Sequence, residues 1–117
     1  MKINQNNPGL LAENLAASYL IEQGLKLLVK NYHCRFGEID LIMQDKNTLV
    51  FVEVRLRTSL GFGNAGSSIT KQKQLKLTRT ALHYLQAHGD AACRFDAILM
   101  DKAEVANLVW LRNAFDA

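Results

Sequence analysis

The chain has 117 residues, 49% of them apolar and 21% charged, with a formal net charge of +3. That length supports one hydrophobic core and not two independent ones, so residues 1–117 read as a single domain, and the apolar share excludes a disordered chain. No apolar run reaches the length of a membrane span, and the polar start MKINQNNPG lacks the apolar core of a secretory signal, so no membrane association is expected and the cytoplasm is the expected compartment.

Pro8-Gly9 followed by LLAENLAASYLIEQG predicts a first helix. Leu11, Ala12, Leu15, Ala16, Tyr19 and Leu20 cover one broad face, and Gly24 ends it. LKLLVKNYHC predicts a strand, GEIDLIMQ a second and TLVFVEVRLR a third, the last two parted only by Asp45-Lys46-Asn47. Cys34 and Cys93 lack CxxC spacing and read as reduced thiols. The segment TSLGFGNAGS is a glycine-rich connection without Walker spacing, read as a flexible link with DNA contact as the lesser option. A second long helix, SITKQKQLKLTRTALHYLQAHG, opens at a Ser67 or Ser68 cap. CRFDAILMD and VANLVWLRN close the chain as a hairpin, with Asp96 read as a structural partner of Arg94 or Arg112. The expected class is α/β, a central mixed sheet flanked by helices in the order αβββαββ.

The second and third strands are apolar yet carry Glu38, Asp40, Glu53, Arg55 and Arg57. Side chains alternate along a strand, so hairpin register decides which of these meet. A two-residue turn at Lys46-Asn47, or a symmetric four-residue one, pairs Asp40 with Glu53 and Glu38 with Arg55, whereas a three-residue loop sends them to opposite faces; the former is expected because it gathers Ile39, Leu41, Met43, Val50, Val52 and Val54 on the other face. Opposed carboxylates repel. A divalent cation changes that balance, because Mg²⁺ takes one or two carboxylates and completes its shell with water and phosphate. The backbone carbonyl of Val54 is a third candidate ligand. The competing reading is an ordinary cross-strand ion pair between Glu38 and Arg55, with Asp40 and Glu53 at a solvated sheet edge.

On the second helix, Leu75, Thr78, Leu82 and Leu85 form the expected inward stripe, and one turn back lies Lys71. It either snorkels to water or reaches the carboxylates to hold a phosphate, near a helix N-terminus that favours anions. Lys73, Lys76, Arg79 and His83 then fall on the opposite face, as a solvated row or as a salt-sensitive nucleic-acid footprint. Arg35, Arg55, Arg57 and Lys71 are the preferred phosphate contacts. His33, His83 and His88 show no metal-ligand spacing.

GEIDLI followed by FVEVR, with Glu13 in the preceding helix and KQKQL opening the next, resembles the YraN-like family of small bacterial proteins, placed in the PD-(D/E)XK, restriction-endonuclease-like superfamily. The resemblance covers about residues 9 to 101. It implies a restriction-endonuclease-like core and a metal-dependent endonuclease that hydrolyses DNA, including branched DNA, with Mg²⁺ or Mn²⁺. Asp40 and Glu53 take the metal-binding positions, and Glu13 matches a first-helix glutamate of archaeal Holliday junction resolvases. Glu38 belongs to the GEID signature and supports Arg55 or the metal. Arg55 stands where the motif has lysine and, being always protonated, cannot serve as a general base. Lys71 is then one source of the missing ammonium. A DNA-binding module of the same fold with little hydrolysis is the alternative, and a homodimer is the assembly that the likeness to junction resolvases implies.

Overall fold

Asn7 starts the first helix by accepting hydrogen bonds on its side-chain oxygen from the N–H groups of Gly9 (3.0 Å) and Leu10 (3.2 Å), with Pro8 supplying a ready helical φ. This helix, α1, spans Pro8–Glu22. It ends where Gly24 adopts φ 101°, which lets Gly24 N–H donate to Ile21 and Leu25 N–H to Leu20. The computed structural model describes residues 7–56, 69–101 and 103–116. Arg57, Ser67, Ser68 and the glycine-rich connection between them lie outside the described residues.

The remaining elements are β1 (Lys26–Cys34), β2 (Gly37–Asp45), β3 (Thr48–Leu56), α2 (Lys71–His88), β4 (Cys93–Met100), a 3₁₀ turn (Val105–Asn107) and β5 (Leu108–Phe115). The five strands form one sheet in chain order, β1-β2-β3-β4-β5. Only β3 and β4 run parallel, because α2 carries the chain back across the sheet between them. The αβββαββ order and the mixed sheet agree with the sequence expectation, except that Val105–Asn107 forms a 3₁₀ turn before the last strand. Among the described residues no helix is long and apolar enough to cross a membrane.

Each sheet face carries its own core. Ala12, Ala16, Ala17 and Leu20 of α1 pack on Leu41, Met43, Val50, Val52, Ile98 and Met100. On the other face Leu77, Ala81, Tyr84 and Leu85 of α2 pack on Ile39, Ile42, Phe51, Phe95 and Ala97. Three sequence expectations are corrected here. Ile39 lies on the α2 face, apart from Leu41 and Met43. Its neighbour across the β1–β2 ladder is Tyr32, next to Asn31, which takes a left-handed φ of 54° and reverses the facing of the strands beyond it. The inward stripe of α2 is Leu77, Thr80, Ala81, Tyr84 and Leu85, whereas Leu75 and Leu82 are 60% and 54% exposed. Thr70, not a preceding serine, caps α2 by accepting from Lys73 N–H at 3.1 Å.

Asp96, on β4 in register with Val52, is 1% exposed and organises the junction of β4 with β5. Its carboxylate accepts from Arg94 Nε (3.1 Å), Trp110 Nε1 (2.9 Å) and the N–H of Asn113 (3.0 Å), where β5 bulges at a φ of 51°. Arg94 also reaches Asp45 at 3.1 Å, and Arg112 covers the Trp110 ring at 4.1 Å instead of joining Asp96. Removing one partner of such a buried ionic cluster strands the others. Asp96→Ala is therefore expected to lower unfolding free energy by about 3–5 kcal/mol in urea titrations.

Candidate functional site

The two-residue turn at Lys46-Asn47 sets the β2–β3 register, with Lys46 at φ 57° and Asp45 opposite Thr48. Pairing then runs through Ile42 and Phe51 to Leu41 and Val52, where it stops. Beyond that point β2 stays with β1 as far as Cys34 and Gly37, and β3 stays with β4 as far as Leu56 and Met100. The sheet splits between them. In the opening, Asp40 Oδ2 accepts the Val54 N–H at 2.8 Å, taking the place of the ladder carbonyl that β2 no longer offers.

Glu53 precedes Val54 and is 5% exposed. Its side chain lies within hydrogen-bonding reach of Asp40. Burial first, then the Asp40 carboxylate, push the Glu53 carboxyl up to about 7, against the opposing pull of Lys73 and Arg55. Lys73 Nζ stands 3.5 Å from Glu53 Oε2 and Arg55 Nη1 stands 3.4 Å from the same atom. On the other side of the opening, α1 brings Glu13 to Asp40 and to the amide of Asn31. Burial and Asp40 raise the Glu13 carboxyl above its ordinary range, with Glu38 adding repulsion and Asn31 opposing.

The structure thus sets Glu53 against Asp40 and Arg55, and sets Glu13 against Asp40 from the α1 side. Glu38 is exposed and paired across the ladder with His33, because the β2–β3 ladder ends before it could face Arg55. Lys71 is the exposed first residue of α2, and the ammonium that reaches Glu53 belongs to Lys73. The reason is helical phase: one turn back from Leu77 lies Lys73, as one turn back from Leu75 lies Lys71. Arg35 lies in the β1–β2 turn over the Phe36 ring. Arg57 lies outside the described residues.

Two residues stand at the site that the sequence expectation set elsewhere or passed over: Lys73, expected on the solvent face of α2, and Asn31. Lys73 is legible from the alternative stripe Leu77-Ala81-Tyr84, and Asn31 from its place as a poor strand former between Lys30 and Tyr32. Among the described residues no three His, Cys, Asp or Glu side chains form a ready ligand cage. The donors still fit a hard cation, since Mg²⁺ requires only one or two carboxylates and the repulsion between Asp40 and Glu53 is what a divalent charge relieves.

Glu53 binds its proton more tightly folded, at about 7, than at the ordinary 4.5, so its contribution to stability is complete below 4.5 and is lost as pH rises through 7. Glu13 acts in the same direction. In chelator, wild type is expected to lose on the order of 2–3 kcal/mol through Glu53 between pH 5 and pH 8. Glu53→Gln should flatten most of that slope in urea titrations and exceed wild type in stability at pH 8.

The uncharacterised protein family UPF0102 matches residues 12–100 of the chain. A UPF0102 protein of Nitrosomonas europaea is 57% identical over 111 residues, covering 94% of each chain. One of Methylobacillus flagellatus is 54% identical over 106 residues, 91% of this chain and 94% of the relative. Another, of Saccharophagus degradans, is 46% identical over 113 residues, 94% and 93% of the two chains. With a family match that contains every residue of the split between β2 and β3, and relatives of nearly equal length, the chain belongs to the UPF0102 family.

Proposed function

We propose that this protein is a divalent-metal-dependent endonuclease that hydrolyses DNA phosphodiester bonds at the split between β2 and β3. The observation that carries the reading is Glu53: a carboxylate 5% exposed, set against Asp40 and flanked by Lys73 and Arg55. Acids packed this way lower stability unless a ligand repays them, and strained charge of this kind concentrates at functional sites. The resemblance of GEIDLI and FVEVR to the PD-(D/E)XK pattern points the same way.

Asp40 and Glu53 would hold Mg²⁺ or Mn²⁺, with Glu13 behind Asp40 and the Val54 carbonyl on the same edge of β3 as the N–H that Asp40 accepts. Bound there, the cation supplies Lewis-acid polarisation of a phosphodiester and a more acidic water. The chain's own residues supply the rest. The Val54 N–H fixes one Asp40 oxygen, Lys73 and Arg55 offset phosphate charge, and Asn31 orients Glu13. Arg55 stabilises charge without accepting a proton. Lys73 puts an ammonium beside Glu53 from α2, where the strand motif itself has arginine.

A second reading, a DNA-binding module with little hydrolysis, is favoured by one feature: Lys73 and Arg55 already offset much of the charge on Glu53 without a metal. Cleavage of plasmid and four-way-junction DNA in Mg²⁺ and Mn²⁺ separates the two. Activity abolished by Asp40→Ala, and lowered about 10²–10³-fold by Lys73→Ala, supports the enzyme. Salt-sensitive binding without cleavage supports the module. Mn²⁺ calorimetry is expected to show binding to wild type and strong weakening in Glu53→Gln, and equal titrations would remove the metal site.

A further inference from the structure

The stripe of α2 that turns away from the core is not uniformly polar. Leu82 is 54% exposed and Phe36, in the β1–β2 turn, is 37% exposed. These two side chains, with Arg35, Arg79, His83 and Gln86, line a groove of about 270 Å³. That is just below the roughly 300–1,000 Å³ of pockets for drug-sized ligands, a size suited to one planar ring system.

The groove is built, not incidental. Gly37 takes φ 151°, and a Cβ there would meet Thr80 Oγ1 at 3.2 Å, so the turn carrying Phe36 is pressed against α2. Tyr32 and His83 Nδ1 share a hydrogen bond of 2.6 Å that holds the imidazole, and that ring meets the Phe36 ring edge-on at 6.2 Å. Arg35 lies 4.8 Å from the Phe36 centroid and Arg79 is exposed at the groove's wall. A partly exposed aromatic with one guanidinium over its ring, a second lining the same groove and an amide side chain beside them matches what a nucleobase and its flanking phosphates require. An apolar peptide would leave Arg35 and Arg79 without counter-charge.

Position reinforces the chemistry. Lys73, Lys76, Arg79 and His83 run along α2 from the carboxylates to the groove. Arg79 lies about 9 Å, and His83 about 15 Å, along the helix axis from Lys73, taking 1.5 Å per residue. At about 3.4 Å per nucleotide, that axial offset corresponds to about three to four nucleotides of strand.

We propose that the groove between Phe36 and α2 binds an unpaired nucleotide of a single-stranded DNA segment, stacking its base on Phe36 and holding its backbone with Arg35 and Arg79. The inference deepens the nuclease reading, on which its orientation toward the carboxylates rests, by naming the substrate as DNA with an unpaired strand beside the scissile bond.

The test is fluorescence anisotropy in EDTA with labelled oligo-dT, a hairpin duplex of equal length and oligo-U. Oligo-dT should bind more tightly than the duplex. Phe36→Ala should weaken it at least about five-fold, the lower end of one base–aromatic stack, while Phe36→Trp retains it. Arg79→Gln should reduce the salt slope by about 0.7, the value of one single-strand phosphate contact. Phe36→Ala binding like wild type, or duplex binding as tightly as oligo-dT, overturns the proposal, and tighter binding of oligo-U overturns the assignment to DNA. Cleavage assays keep the two ideas apart. Phe36-dependent binding without Mg²⁺- or Mn²⁺-dependent cleavage defeats the nuclease reading alone, whereas cleavage of duplex and tailed substrates that ignores Phe36→Ala defeats the groove alone.

Discussion

The hydrogen bond from the Val54 N–H to Asp40 Oδ2 is the point on which the site depends. A β-strand that loses its neighbour exposes backbone donors, and a buried unpaired N–H costs about as much as a lost hydrogen bond. Asp40 meets that demand with a side chain, so β2 can leave β3 after Leu41 without an orphaned donor. The same bond turns the Asp40 carboxylate into the opening. Asn31 works from the other side: its left-handed backbone reverses the strand faces, and its side chain opposes the rise in the Glu13 carboxyl's proton affinity. Because the sheet is split, Asp40 of β2 can meet Glu53 of β3 on one side and Glu13 of α1 on the other.

Electrostatics at the split is an unequal contest in which burial and carboxylate repulsion outweigh the two nearby cations. Glu53 is buried against Asp40, which raises its affinity for a proton, while Lys73 and Arg55 lower it. The cations come from different elements, α2 and β3, so their approach depends on how helix and sheet pack. The buried cluster of Asp96, Arg94 and Trp110 has comparable burial, but its carboxylate is closed off by three donors and ties β4 to β5, not β2 to β3. Closed clusters hold strands in place. The cluster around Glu53 has carboxylates facing each other, and that repulsion is what the proposed cation would relieve.

Helix α2 connects the two halves of the functional reading. One face buries Leu77, Ala81 and Tyr84 and, one turn earlier, delivers Lys73 to Glu53. The adjoining face leaves Leu82, Arg79 and His83 beside Phe36. Thr80 and Gly37 lock the phase of the helix against the β1–β2 turn, so the ammonium at the split and the groove beside Phe36 are set by one packing contact.

Much of this was legible in the residues themselves. Alternation and turn chemistry suffice for αβββαββ, and the Lys46-Asn47 turn is enough to direct Asp40 and Glu53 toward each other, because strand period and turn length are local properties. GEIDLI and FVEVR mark those acids by their cost in an apolar strand. What depended on tertiary structure was phase and divergence. α2 carries two apolar stripes, Leu75-Thr78-Leu82 and Leu77-Ala81-Tyr84, of similar periodicity, and only packing against Phe51 and Gly37 decides which turns inward, and hence that Lys73 and not Lys71 reaches Glu53. The end of the β2–β3 ladder at Leu41, the displacement of Ile39 to the other core and the separation of Glu38 from Arg55 follow from the backbone of Asn31 and from strand partners far apart in the chain, which no local pattern encodes.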